Sequence, residues 1–524
     1  MTHSHGVASA RVVFAAATVD AVVEPDGALG AQVPLTLSPA GVEGDVPFSV
    51  ELRDDLGHVT ALPASVKVDD RAPRVTVDQP SMVLRGTLVS LHVTVEDMSA
   101  VTIAGSTRNT DGSFTIAVDT HAAPAGVTNY DVPITVIDAV GNATTVHPII
   151  PLTRLKFAMP HPSGRAITSL VLTDTTIVAL ADHSEFWFLR RSDGVSLVQP
   201  PTGGTAFEEF ATDGTRLFFA RSDNNICRMG ADGSIQLCCG QYATMTHGPI
   251  LQDDTAIVAT TGTSDYGAHL VAIPYGTSCA PNAAGPLADF ALTSPAIGPD
   301  GILYAGAAQK IVVEQFDGIG WAITPQVTSE TPHYVDAPAF RGRQVLLATN
   351  AAGTIDTFTF TNPLGAPAPT PTSTQIATLG TTTTAPTIAG DETAVLATDD
   401  RHLIALRTDN FLRWNVPLPS QATAPPTHGA GGVLYVGTLS GDILAIDESD
   451  GATIWSYTAG APIRGPLAPG CDGVLYAATD GAVVALVIDQ PGLADSAWPK
   501  AAHDVRGTGD ARRPLKSASG ACLE

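Results

Sequence analysis

Apolar and polar positions alternate along most of this chain in short runs bounded by Gly, Asp, Asn and Pro. Such runs predict β-strands joined by turns rather than helices. One pattern recurs: a short apolar strand ending in small residues. Its first copies read Thr176-Ile177-Val178-Ala179 and Arg216-Leu217-Phe218-Phe219-Ala220. It returns at 256–260, 301–306, 345–349, 395–398, 432–438 and 473–479, which makes eight copies. An anchor residue upstream of each sets the period. The anchors are Leu170, Phe210, Pro249, Pro295, Pro338, Pro386, Pro425 and Pro466, spaced about 42 residues apart. The clearer units continue with a second strand (442–447), a Gly turn (Asp450-Gly451) and a strand bearing an aromatic (Ile454-Trp455-Ser456-Tyr457). Four short strands at a period of roughly 40–45 predict β-propeller blades. A lone blade cannot bury both faces, so blades must stack around an axis.

Tryptophan follows the same period. Trp414, Trp455 and Trp498 stand 41 and 43 residues apart, and Trp321 lies 93 before Trp414, about two blades. This spacing predicts one equivalent site in four blades, with each ring wedged between neighbouring blades.

The stretch GGVLYVGTLSGDILAIDESDGATIWSYTAG at 431–460 resembles the repeat of pyrroloquinoline-quinone (PQQ) quinoprotein-like propellers. That repeat ends in Asp-x-x-x-Gly-x-x-x-Trp, which Asp447, Gly451 and Trp455 match. Asp317-Gly318…Trp321 and Asp409…Trp414 match in part. The segment AWPKAAHDVRGTGDARRP at 497–514 is similar to the closing segment of such propellers in secreted bacterial proteins. The resemblance implies an eight-bladed propeller over 156–515, with seven blades as the alternative count, and a tail at 516–524. It also implies an alternative activity, a PQQ- and calcium-dependent dehydrogenase. Quinoprotein alcohol dehydrogenases carry an adjacent Cys-Cys disulfide over the quinone, and Cys238-Cys239 is such a pair. The Trp floor and the Glu, Asn and Asp calcium ligands of those enzymes have no counterpart around it.

Residues 1–155 lack the repeat. Alternating strands at 48–52, 91–95 and 134–137 are separated by turn signals at Asp111-Gly112 and Gly141-Asn142. They predict β-sandwiches. The segments 68–77 and 136–143 resemble a module junction and a late strand pair of bacterial Ig-like domains. The expected division is one Ig-like sandwich at 1–71, which is incomplete in one variant of the reading, and another at 72–155. Asp69-Asp70 at the junction shares adjacent carboxylates with calcium-binding cadherin junctions, but two carboxylates alone predict a solvated turn.

Composition supports this all-β reading. The 49 Gly and 39 Pro disfavour long helices. With 27 basic and 52 acidic residues the net charge is −25, which excludes nucleic acid as a partner. No apolar run reaches the length of a transmembrane helix, and the first residues do not form an export signal. Six cysteines (Cys227, Cys238, Cys239, Cys279, Cys471, Cys522) permit disulfides in an oxidising compartment. Cys227 with Cys238 across a turn, and Cys471 with Cys522 across the tail, are the candidate pairs, with buried free thiols as the alternative. No zinc, P-loop, metalloprotease or nucleophile-elbow motif is present. His503-Asp504 reads as ordering the tail.

The reading is therefore a non-enzymatic, extracytoplasmic binding or scaffold protein, with no catalytic, cofactor or metal residue assigned. The propeller face would take a protein or glycan, and the Ig-like modules would serve as spacer or adhesion units. PQQ and calcium enter only under the dehydrogenase alternative. A further alternative resembles the propeller lipoprotein of outer-membrane assembly. That protein has no sandwich modules and carries a lipid-anchoring Cys near its start.

Overall fold

The structure is a computed structural model that describes residues 7–14, 17–23, 28–30, 43–240, most of 244–382, and 384–524. Among these residues the chain is all-β, and its one helical element is a 3-10 turn at Thr120–Ala122. It divides into two units. One holds residues 1–123 and 128–152; the other holds 124–127 and 153–524.

Within the first unit, Glu43–Asp54 and Val59–Asp69 form a long antiparallel hairpin. Val7–Phe14 and Ala17–Val23 extend it, and Leu29–Gly30 completes a five-stranded sheet. The described residues of the stretch 1–71, expected to be a sandwich, form this one sheet. Period-two alternation specifies a strand and its two faces but does not supply a second sheet. Residues 74–153 form three further sheets. Their shared core comes from alternate strand positions such as Leu91, Val93, Phe114, Val136 and Ile150, each at most 4% exposed.

The second unit contains eight antiparallel sheets among the described residues. Seven are consecutive four-strand meanders, one of them (Ala296–Ile297 to Trp321–Ile323) with an extra strand, Val327–Thr328. We number these blades 1 to 7. In the eighth, Ala468–Pro469, Val474–Thr479 and Ala482–Val487 are joined by Leu155–Pro160 from the start of the unit. Each recurring apolar strand lies in the second position of its sheet. Blade 1 residues Thr176–Ala181 and blade 8 residues Val474–Thr479 are buried on both faces. A strand between two neighbouring sheets has no solvent side, so its pattern becomes continuously apolar.

The apolar clusters close the ring. One joins Trp187 and Leu189 of blade 1 to Val474 and Tyr476 of blade 8. Others join blades 1 and 2 through Phe186 and Phe219, and blades 2 and 3 through Ile226 and Val271. Blades 3 and 4 meet through Ile257 and Leu303, and blades 4, 5 and 6 through Tyr304, Phe340 and Leu396. The circuit finishes between blades 6 and 7 at Trp414 and Leu444, and between 7 and 8 at Trp455 and Leu486. Pairing of Leu155–Pro160 into the last sheet fastens the two ends of the ring and removes a free edge.

Candidate functional site

The first strand of each blade faces the axis, where its edge amides lack a neighbouring strand. The C-terminal segment supplies partners at one end. Amides of Leu172, Thr212, Leu251 and Ile297 (blades 1 to 4) donate to the carbonyls of Val505, Arg506, Thr508 and Gly509 at 2.8–2.9 Å. Ile388 and His428 (blades 6 and 7) donate to Trp498 and Pro499, both at 2.8 Å. Six blades are thus laced to one segment. Asp504 orders its turn, accepting the amides of Arg506 and Thr508 at 3.0 and 3.1 Å and the Thr508 hydroxyl at 2.5 Å. Burial would raise this carboxyl, but His503 and Thr508 outweigh it and hold Asp504 at about 2. His503 Nδ1 is 3.9 Å from Asp504 and accepts or donates no hydrogen bond. Asp504 organises the tail through its hydrogen bonds, while His503 stands beside it at ion-pair distance and packs on Trp498.

Above this floor lies a cavity of about 290 Å³. Its wall includes the anchors Leu170, Phe210, Pro249, Pro295, Pro425 and Pro466. Proline suits an inner edge because it has no amide to leave unpaired. Lys500 closes the bottom, donating to the carbonyls of Ala501 and Asp504. Burial pushes its ammonium down to about 8.

The charged part of the wall precedes the anchors. Glu208, Glu209, Asp336 and Arg464 line the cavity. Glu209 pairs with His247 at 3.2 Å and accepts the Gly248 amide at 3.0 Å. Burial opposes ionisation of Glu209, but the His247 contact outweighs it and its carboxyl lies below the ordinary range. The same pairing overcomes burial at His247 and raises its imidazole. Burial, reinforced by the Glu209 charge, pushes Asp336 up to about 6. Glu208 is also raised by burial, with His183 at 3.7 Å opposing. The lining carries three carboxylates against two cations, Arg464 and the Lys500 of the floor, and this excess of carboxylate favours cationic groups.

The other predicted residues lie in the packing between blades and in the closing tail. Trp414 and Trp455 hold equivalent sites, each opposite an alanine (Ala405, Ala445) and each 8% exposed. Both lie in clusters that bridge consecutive blades. The motif explains itself here. Gly451 has φ +81°, and a Cβ on it would meet the Val416 methyl at 2.8 Å and the Trp414 ring at 3.1 Å. Trp414 Nε1 donates to the Glu448 carbonyl at 2.9 Å, and Asp447 accepts the Ser449 amide at 2.8 Å. The Asp and Gly of one blade thus shape a turn that receives the Trp of the blade before it. Two members of the expected ladder are corrected. Trp321 pairs with Phe316 instead of an alanine and joins the blade 3–4 cluster. Trp498 belongs to the closing tail, 5.3 Å from Phe340 of blade 5. Its spacing from Trp455 matches the period by coincidence.

Cys227 bonds Cys238 across the hairpin, at S–S 2.00 Å, and Cys471 bonds Cys522 at 1.98 Å. Cys239 is disulfide-bonded separately from Cys238, so no adjacent Cys-Cys bond exists. Cys279 lies outside the described residues. The Asp69-Asp70 turn is also corrected: Asp70 is exposed, but both Asp69 carboxylate oxygens are shut off from solvent.

The ring of sheets, its end-to-start fastening and the Asp-Gly-Trp turns define a PQQ-like β-propeller. Residues 365–498 match the PQQ_2 family model, described as outer membrane protein assembly factor BamB. Among solved structures the chain is similar to the computationally designed Ika8 protein, at 14% identity and TM-score 0.49. It is likewise similar to BamB from Moraxella catarrhalis, at 13% identity and TM-score 0.49. Each similarity covers 63% of this chain and 98% of the other. No curated protein matches the sequence.

Proposed function

We propose that the chain is a non-enzymatic, extracytoplasmic binding or scaffold protein whose partner is a protein bearing a cationic segment. The observation that carries this reading is the polarity of the propeller axis. One end is laced shut by the C-terminal segment, while Glu208, Glu209 and Asp336 stand on the wall above that floor. The match of 365–498 to the assembly-factor family supports a protein partner over a glycan. It also favours a second reading, a scaffold in outer-membrane assembly. The disulfides, Cys227–Cys238 and Cys471–Cys522 among them, suit an oxidising compartment. The N-terminal unit would act as spacer or adhesion element.

A photo-crosslinking residue placed at Glu208 or Asp336 in the full chain tests this in the native host. It should capture a protein partner, whereas the same residue at Asp495, exposed on the closing tail, should not. Equal capture from both positions would overturn the assignment. Adding PQQ and calcium to the purified chain should give no stoichiometric quinone uptake. Uptake with dye-linked alcohol turnover would establish the dehydrogenase instead.

A further inference from the structure

Three aspartates from separate strands converge in the N-terminal unit. Asp69 ends Val59–Asp69, Asp138 ends Ile134–Asp138, and Asp97 follows Leu88–Glu96. One carboxylate oxygen from each lies within 4.8 Å of the other two.

Their hydrogen bonds leave oxygens over. Asp138, only 5% exposed, accepts at Oδ1 from the amides of Val140, Gly141 and Asn142 at 2.7–2.9 Å. Its Oδ2 accepts from Asn142 Nδ2 at 2.8 Å, and that amide also reaches the Asp69 carbonyl at 3.2 Å. Asp97 Oδ1 accepts from the Ser99 amide and hydroxyl at 2.8 and 3.0 Å. By contrast, Asp97 Oδ2 and both oxygens of Asp69 are closed to solvent and accept nothing. Among the described residues no Lys, Arg or His side chain pairs with any of the three.

Three carboxylates this close repel one another unless a countercharge lies among them. Oxygens bound to one cation at roughly 2.3–2.6 Å lie no more than about 5 Å apart, which is the spacing seen. An all-oxygen, triply anionic site selects a hard divalent ion. Magnesium usually keeps several waters and takes one or two carboxylates, whereas calcium accepts a larger protein-supplied set. We propose that Asp69, Asp97 and Asp138 bind one calcium ion, fixing the end of the first sheet to the strands of the domain that follows.

Calorimetric titration of the chelator-stripped full chain with calcium chloride tests this. Wild type should bind one calcium more than Asp69→Asn and Asp97→Asn. Magnesium at equal concentration should not displace it. Trypsin gives a second readout, since exposed Arg71 lies two residues past Asp69. Calcium at ten times its dissociation constant should slow cleavage there roughly tenfold in wild type and leave both variants unchanged. Without metal, Asp69→Asn should be cut no faster than wild type, because it relieves repulsion; a purely structural aspartate would loosen the junction on removal. Equal stoichiometry in wild type and both variants, or a preference for magnesium, overturns the proposal.

Discussion

Glu314 provides a quantitative test of how tightly the blades pack. It sits in the third strand of blade 4, Lys310–Phe316, opposite Leu303 on one side and Ile323 on the other. The residue is 0% exposed and neither carboxylate oxygen finds a partner. Burial pushes its carboxyl from 4.5 up to about 7. Because the folded value is raised, the folded chain binds an extra proton between those two values. Stability therefore falls as pH rises from about 4.5 through 7, and the loss is complete above 7. At 1.36 kcal/mol per unit the shift amounts to about 3 kcal/mol. Glu314→Gln keeps the shape and loses the titration. Its stability relative to wild type should be about 3 kcal/mol more favourable at pH ~8 than at pH ~4. The fixed cost of burying an amide cancels from that difference. Urea unfolding followed by tryptophan fluorescence measures it in the right unit, because all five tryptophans lie between residues 187 and 498. A relative stability that is flat across this pH range would refute the argument.

Trp455→Ala should destabilise the propeller by roughly 3–5 kcal/mol, since the ring fills the blade 7–8 interface and carries Arg154 at 4.7 Å; an unchanged melting midpoint would count against that placement. His247 is raised by Glu209, so its pairing stabilises fully below its unfolded value and is lost as pH rises through the folded one. His247→Ala should therefore cost more at acid than at alkaline pH, and an equal loss at both would contradict the pairing. Asp336→Asn should stabilise the fold above about pH 6, with the gain closing as pH falls toward 3.8; urea midpoints across that range decide it. Cys471→Ser opens a loop of 51 residues and should cost about 4 kcal/mol by the chain-entropy relation, read as a lower melting midpoint in the absence of reductant; an unchanged midpoint would contradict it.

The propeller was legible because its repeat is imposed by packing. A strand buried on both faces must be apolar and small at every copy, as at 474–479, and the Gly451 turn must admit the Trp of the preceding blade. Spacing alone could not separate Trp498 from Trp455, since period identifies a position along the chain and not the element that holds it. Period is silent in a related way on the sandwich expected at 1–71: alternation reports that one face is covered, without saying what covers it. The aspartate cluster was invisible because Asp97 and Asp138 come from strands 28 and 69 residues beyond Asp69.

The acidic wall did leave a trace, two residues before each anchor. In blades 1, 4, 6 and 7 that position holds Thr168, Thr293, Thr384 and Thr423. Thr293 and Thr384 each accept a second-strand amide, from Gly306 at 2.8 Å and Ala397 at 2.9 Å. Threonine there is a structural device that satisfies a donor beside the axis. Blades 2, 3, 5 and 8 hold Glu208, His247, Asp336 and Arg464 instead. Each replacement gives up a small hydroxyl cap and places a titratable or charged group beside the channel. Raised values at Glu208 and Asp336 are the electrostatic cost. A fold selected for stability alone would keep threonine at all eight positions. Departures from a repeat that cost stability and converge on one cavity are where binding is expected to reside.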